Sequence, residues 1–141
     1  MTKILIVDDR EDNLLSISSL LEPGGYQIVK ANSGKEALKI LLNEYDFALI
    51  LMYVKMPNLS GFETAALIYE REKLRHVPII FITAHSYDAD NVFMGYKAGA
   101  VDYIYKPINP DLLRAKVGVF VELYRKTHQL IAQEQKLIAI N

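Results

Sequence analysis

Ile4-Leu5-Ile6-Val7-Asp8-Asp9 is a continuous apolar run that ends on two carboxylates. An uninterrupted run of this length suits a strand covered on both faces, the pattern of a parallel sheet. Three further runs share the character, and the spacing predicts strands at Lys3–Val7, Phe47–Met52, Ile79–Thr83 and Val101–Tyr105. A shorter candidate lies at Tyr26–Ala31.

Amphipathic stretches separate these runs. Asp12 to Leu21 has helical spacing at Leu14, Leu15, Ile17, Leu20 and Leu21, and Pro23-Gly24-Gly25 stops it. Ser33 with Glu36, and Ser60 with Glu63, have the spacing of capping boxes. The second of these predicts a helix to about Leu74. A fourth helix is predicted from Asp88 or Asp90 to Gly99, and Pro110 suits the first turn of a fifth. Strand then helix, repeated five times, implies an α/β parallel sheet with helices on both faces and right-handed crossovers.

Composition sets the bounds. At 141 residues the chain suits one domain with a short appendage, and 51% hydrophobic residues can form a real core. A net charge of −1 provides no global field to attract nucleic acid. The absence of cysteine excludes disulfides and thiolate metal sites. The N-terminal apolar run is too short for a signal peptide or membrane span, so a soluble cytoplasmic protein is expected.

In open α/β sheets, chemistry collects at the carboxyl ends of the strands. Asp8 and Asp9, Tyr53, Thr83 and Lys106 stand there. An acidic pair, a hydroxyl and a lysine suggest a cation site beside a phosphoryl site. Plainer readings exist for each residue: a helix-start acidic pair, a solvated loop lysine, strand-packing tyrosines. His76, His85 and His128 have no ligand spacing and read as surface; Asp46 and Asp102 read as turn or strand-edge residues. Lys35, Lys39, Lys55 and the stretch 71–75 read as solvated charge.

Four pieces carry a resemblance: Ile4–Asp9, Leu49–Gly61 (Leu-Ile-Leu-Met-Tyr-Val-Lys-Met-Pro-Asn-Leu-Ser-Gly), Pro78–Ala84 (Pro-Ile-Ile-Phe-Ile-Thr-Ala) and Gly99–Pro107 (Gly-Ala-Val-Asp-Tyr-Ile-Tyr-Lys-Pro). In this order, each at a strand end, they resemble the CheY-like receiver domain of two-component response regulators over about residues 1–125. The resemblance implies a doubly wound, flavodoxin-like sheet of five parallel strands, order 2-1-3-4-5, with five helices. It implies a non-enzymatic phosphorelay module that receives a phosphoryl group from a histidine kinase or phosphotransfer protein.

By that resemblance Asp8, Asp9 and the backbone carbonyl of Lys55 hold Mg²⁺, which neutralises phosphoryl oxygens. Thr83, Ala84, Tyr103 and Lys106 form the phosphoryl-binding and switch group, with Tyr103 the aromatic that turns inward. Lys106-Pro107 resembles the family's cis peptide. The departure is Tyr53. The family's acceptor aspartate lies four residues before the proline, here Pro57, and that position is Tyr53. A phenol, with a reference pKa of about 10, is neutral near pH 7 and a poor acceptor and Mg²⁺ ligand. Mg²⁺ binding is expected to be weakened or lost.

Two explanations compete: a pseudo-receiver that acts as a phosphate-independent interaction domain, or an engineered or chance replacement in an otherwise complete receiver. Retention of Asp8, Asp9, Thr83 and Lys106 favours the second. A haloacid-dehalogenase-type phosphatase would need the nucleophile that Tyr53 replaces.

The final helix is longer than the domain needs, about 45 Å if it spans Asp111–Ile140. Leu123, Leu130 and Leu137 recur at heptad spacing. Residues 126–141 therefore read as a helical extension, a coiled coil or a linker. A homodimer is expected through this extension or through the face of the fourth helix, fifth strand and fifth helix. No DNA-binding module and no membrane segment are expected.

Overall fold

The computed structural model describes residues 1–84 and 102–140. Five parallel strands form one sheet in the order β2-β1-β3-β4-β5. They are β1 (Lys3–Val7), β2 (Gln27–Ala31), β3 (Leu49–Tyr53), β4 (Ile79–Thr83) and β5 (Asp102–Tyr105). Helices α1 (Glu11–Leu21), α2 (Gly34–Asn43) and α3 (Gly61–Glu70) and a C-terminal helix (Pro110–Ile140) accompany them. The predicted helix from Asp88 or Asp90 to Gly99 lies outside the described residues, as does Val101.

Alternation along the strands builds two cores. Leu5, Val7, Ile50, Met52 and Phe81 face α2 and α3, meeting Leu41, Ala65 and Ile68. Ile4, Ile6, Leu49, Leu51 and Ile82 face α1 and the C-terminal helix, meeting Leu14, Ile17, Leu113 and Val117. Each such side chain gains roughly 1.5–3 kcal/mol from burial. Both faces of β1, β3 and β4 are covered, which is why those strands are apolar throughout.

The caps follow the local signals, with one shift. Ser60 Oγ accepts from the Glu63 amide, and Glu63 returns the bond to the Ser60 amide, a complete capping box. At α2, Ser33 Oγ accepts from the Glu36 amide, but Glu36 Oε1 accepts from Asn32, one residue earlier. Asn109 Oδ1 accepts from the amides of Asp111 and Leu112, with Pro110 opening the C-terminal helix.

Two elements differ from expectation by more than a residue at one end. Helix α3 stops at Glu70 instead of continuing to Leu74, because Arg71 is extended and Glu72–Leu74 forms a separate 3-10 turn. That turn buries Leu74, and the Arg71 guanidinium donates to the Leu41 carbonyl at 2.8 Å, so Arg71 is not simply a solvated charge. Strand β3 starts two residues later than predicted and includes Tyr53, which pairs with Ile82. Tyr53 is thus the last rung of the ladder, and Phe47 and Ala48, expected to begin the strand, precede it.

The C-terminal helix has 31 residues. Leu113, Val117 and Val121 are buried, while every residue from 125 to 139 is exposed. Tyr124 Oη donates to Asp46 Oδ1 at 2.9 Å and His128 Nε2 lies 3.3 Å from the same oxygen. That cluster is where the helix leaves the domain. The histidine read as surface is exposed but engaged there.

Candidate functional site

The carboxyl ends of the central strands converge as their register requires. Val7 pairs with Met52, Tyr53 with Ile82 and Thr83 with Tyr105. Asp8 follows β1, Tyr53 ends β3, Thr83 ends β4 and Lys106 follows β5. The Lys106 amide donates to the Thr83 carbonyl at 2.8 Å, and the Lys106-Pro107 bond is cis.

Asp8 is buried. Its Oδ1 accepts from the Arg10 amide at 3.0 Å and from Asn13 Nδ2 at 3.4 Å. Its Oδ2 is buried and has no hydrogen-bond partner among the described residues. Burial raises the Asp8 pKa above its ordinary value of 3.8; the hydrogen bonds from Arg10 and Asn13 and the charge of Lys106 oppose the rise, and Asp9 adds to it. An unpartnered buried carboxylate oxygen is costly and is commonly answered by an ion or water. Asp9 is exposed at the rim.

Tyr53 is half-buried and packs against both hydrophobic cores. The Lys106 ammonium sits over its ring, 4.1 Å from the centroid. At this distance an ammonium is attracted to the negative face of the ring. This contact was not legible in the sequence, since it needs the strand order first; the Asn13 bond to Asp8 spans only five positions and was missed although it is local. Thr83 is buried and Ala84, beside it, is exposed. The Tyr103 ring is buried, 5.8 Å from Phe81 and stacked on Tyr105 at 6.0 Å. Lys116 Nζ donates to the Tyr103 carbonyl at 2.7 Å and to Asp102 at 3.1 Å, a brace that sequence reasoning also missed. Lys55 is exposed on the loop after β3.

The loop after β3 is held tightly. Asn58 takes a positive φ of 70°, which asparagine tolerates better than most residues. The Gly61 amide donates to the Val54 carbonyl at 2.8 Å, and a Cβ at Gly61 would collide with the Tyr53 carbonyl. Only glycine lets α3 start this close to the end of β3.

A family model described as response regulator receiver domain matches residues 4–118. The chain belongs to that family. Receiver domains are signalling modules, generally without enzymatic activity, that interact with histidine kinases or phosphotransfer proteins. A polar-differentiation response regulator of Brucella ovis, DivK, is 38% identical over 110 residues, covering 77% of this chain and 88% of the relative. A probable cyclic di-GMP phosphodiesterase of Vibrio cholerae is 38% identical over 134 residues, 95% of this chain. A CpxR homolog of Haemophilus influenzae, a transcriptional regulatory protein, is 39% identical over 83% of this chain. The chain spans only 30% and 49% of the length of these last two relatives.

Solved receiver domains superimpose well. A CheY-like receiver from Methanospirillum hungatei has a TM-score of 0.81 at 31% identity, covering 90% of this chain and 98% of that one. The Vibrio cholerae chemotaxis protein CheY4 has a TM-score of 0.79 at 28% identity, covering 85% and 98%.

Receiver domains typically bind Mg²⁺. The residues here fit that ion in part only. The orphaned Asp8 oxygen is a suitable hard donor, with Asp9 beside it. The neighbouring side chain at the end of β3 is a phenol, and a lysine ammonium lies against its ring. Among the described residues, no group of three or more histidine, cysteine, aspartate or glutamate side chains is placed to hold a metal. Among the described residues no helix is long and apolar enough to cross a membrane.

Proposed function

We propose that this chain is a receiver module that signals through protein contacts and does not take a phosphoryl group at Tyr53. The supporting observation is the Lys106 ammonium 4.1 Å above the Tyr53 ring. In this reading Tyr53 stands where the family carries its acceptor aspartate. Lys106, the cation that would pair with phosphoryl oxygens, is engaged by the ring instead. The phenol supplies neither the acceptor oxygen nor the third carboxylate for Mg²⁺. Asp8, Asp9 and the Lys55 carbonyl are left to hold the ion, weakly. The proposed partners are a histidine kinase or phosphotransfer protein at the cleft, and a helical partner or second copy along the C-terminal helix or the face it shares with β5.

One observation favours a second reading, constitutive and phosphate-independent binding of the partner. The proposed switch aromatic, Tyr103, is already turned in, at 5% exposure.

Incubation with acetyl phosphate and Mg²⁺, followed by intact mass measurement, tests the proposal. The chain should gain no phosphoryl group, and Tyr53→Asp should gain one labile group. A labile phosphoryl group on the unaltered chain overturns the proposal. No gain on Tyr53→Asp selects the constitutive reading.

A further inference from the structure

The exposed half of the C-terminal helix has an unusual order along one face. Leu123 and Tyr124 are followed by Thr127, then Leu130 and Ile131, then Glu134, then Leu137 and Ile138. At 3.6 residues per turn all eight fall within an arc of about 140°. Leu130, Leu137 and Ile138 are 64–68% exposed and Ile131 is 47% exposed, so the chain does not cover them itself. The stripe is symmetric about a point between Leu130 and Ile131: apolar pair, polar residue, apolar pair, polar residue, apolar pair.

We propose that this segment pairs with the same segment of a second copy, antiparallel and centred between Leu130 and Ile131. This rests on the reading of the C-terminal helix as a contact surface, and it supplies the occupant and the orientation. In that register Leu123 meets the partner's Ile138, Tyr124 the partner's Leu137 and Leu130 the partner's Ile131. Thr127 meets the partner's Glu134. Each contact occurs twice, as a two-fold interface requires.

Charge selects the direction. A parallel, in-register pair places Glu134 against the partner's Glu134 in the middle of the seam, and like charges there disfavour association. The antiparallel pair sets each Glu134 across from a threonine hydroxyl, with the partner's Lys126 one residue away on the flank. Polar residues at fixed places in an apolar seam set register and orientation in this way. The two domains lie at opposite ends of the pair, because each helix leaves its own domain at Tyr124. There the partner's Leu137 and Ile138 meet the mouth of a mainly apolar cavity of about 210 Å³, whose lining includes Phe47, Phe120, Leu123, Thr127 and His128.

The absence of cysteine makes the test direct. Leu123→Cys and Ile138→Cys are made separately in the full chain, at positions exposed enough to leave the fold intact. Under mild copper-catalysed oxidation an equal mixture of the two should form covalent dimers about tenfold faster than either variant alone. Adding Leu130→Asp to both should abolish the difference. Light scattering of the unaltered chain should show a mass that rises with concentration towards that of two copies. Faster self-linking of Leu123→Cys than of the mixture would show a parallel pair and overturn the proposal. So would a monomer mass up to about 1 mM, the weak end of specific association. None of these readouts depends on phosphorylation, so this proposal and the reading of the cleft can fail separately.

Discussion

The ammonium of Lys106 and the ring of Tyr53 form a cation–π pair across the mouth of the cleft, 4.1 Å from nitrogen to ring centre. The pair joins the end of β3 to the loop after β5, two segments otherwise linked through β4. A phenylalanine keeps the ring face and an aliphatic residue does not. Tyr53→Phe should therefore leave stability within about 0.5 kcal/mol of the unaltered chain. Tyr53→Leu should lose more, and a double-mutant cycle with Lys106→Met should give a coupling of about 0.5–1 kcal/mol. Urea denaturation measures both; a coupling of zero would mean the contact contributes nothing.

Asp8 gives the fold an acid-side signature. Its pKa is raised in the folded state, chiefly by burial. The folded chain therefore holds this proton more tightly than the unfolded chain. The stabilisation is complete below the unfolded value of 3.8 and is lost as pH rises through the folded value. At pH 7 the buried charge is a net cost, so Asp8→Asn should be more stable than the unaltered chain there. The gain should shrink below about pH 4. Urea midpoints across this range check the sign.

Gly61 and Ser60 hold the start of α3 against the end of β3. Gly61→Ala forces a Cβ into the Tyr53 carbonyl and should destabilise by about 2 kcal/mol or more, displacing the Tyr53 backbone. Ser60→Ala removes half of a capping box and should cost about 1 kcal/mol. In a nitrogen-15 amide spectrum, only Gly61→Ala should shift Tyr53 and Val54 strongly.

Tyr124 titrates late. Burial and the bond to Asp46 push its pKa up to about 12 from the usual 10. The contribution to stability is present below pH 10 and is lost as pH rises through about 12. Asp46→Asn removes the charge that accepts the phenolic proton, so it should bring the Tyr124 titration down towards 10. Ultraviolet absorbance with Tyr124→Phe as the blank reads this shift. Tyr69, also pushed up to about 12 by burial, should not move.

The strands and most caps were legible because their signals are local. Ile4–Val7 announces a doubly covered strand within four residues, and Ser60 with Glu63 announces a helix start within four more. The positions of Asp8, Tyr53, Thr83 and Lys106 followed, since strand ends are fixed once strands are. What joins them was not legible. The Arg71 bond to Leu41 spans 30 positions and the Tyr124 bond to Asp46 spans 78. No periodicity encodes a pairing at such separations; it arises only when the sheet order brings helix ends together. The break at Arg71 was missed for the same reason. Its sequence continues the helical pattern, and the buried site of Leu74 bends the backbone away.

The helix that leaves the domain at Tyr124 also acts as a pointer. Its exposed stretch from residue 125 to 139 is about 22 Å long at 1.5 Å per residue. A swing of about 10° at the Asp46 tether carries its far end nearly 4 Å sideways. A tilt too small to disturb the sheet at the base of the helix is thus magnified at the tip, where it decides how closely the exposed side chains approach whatever faces them.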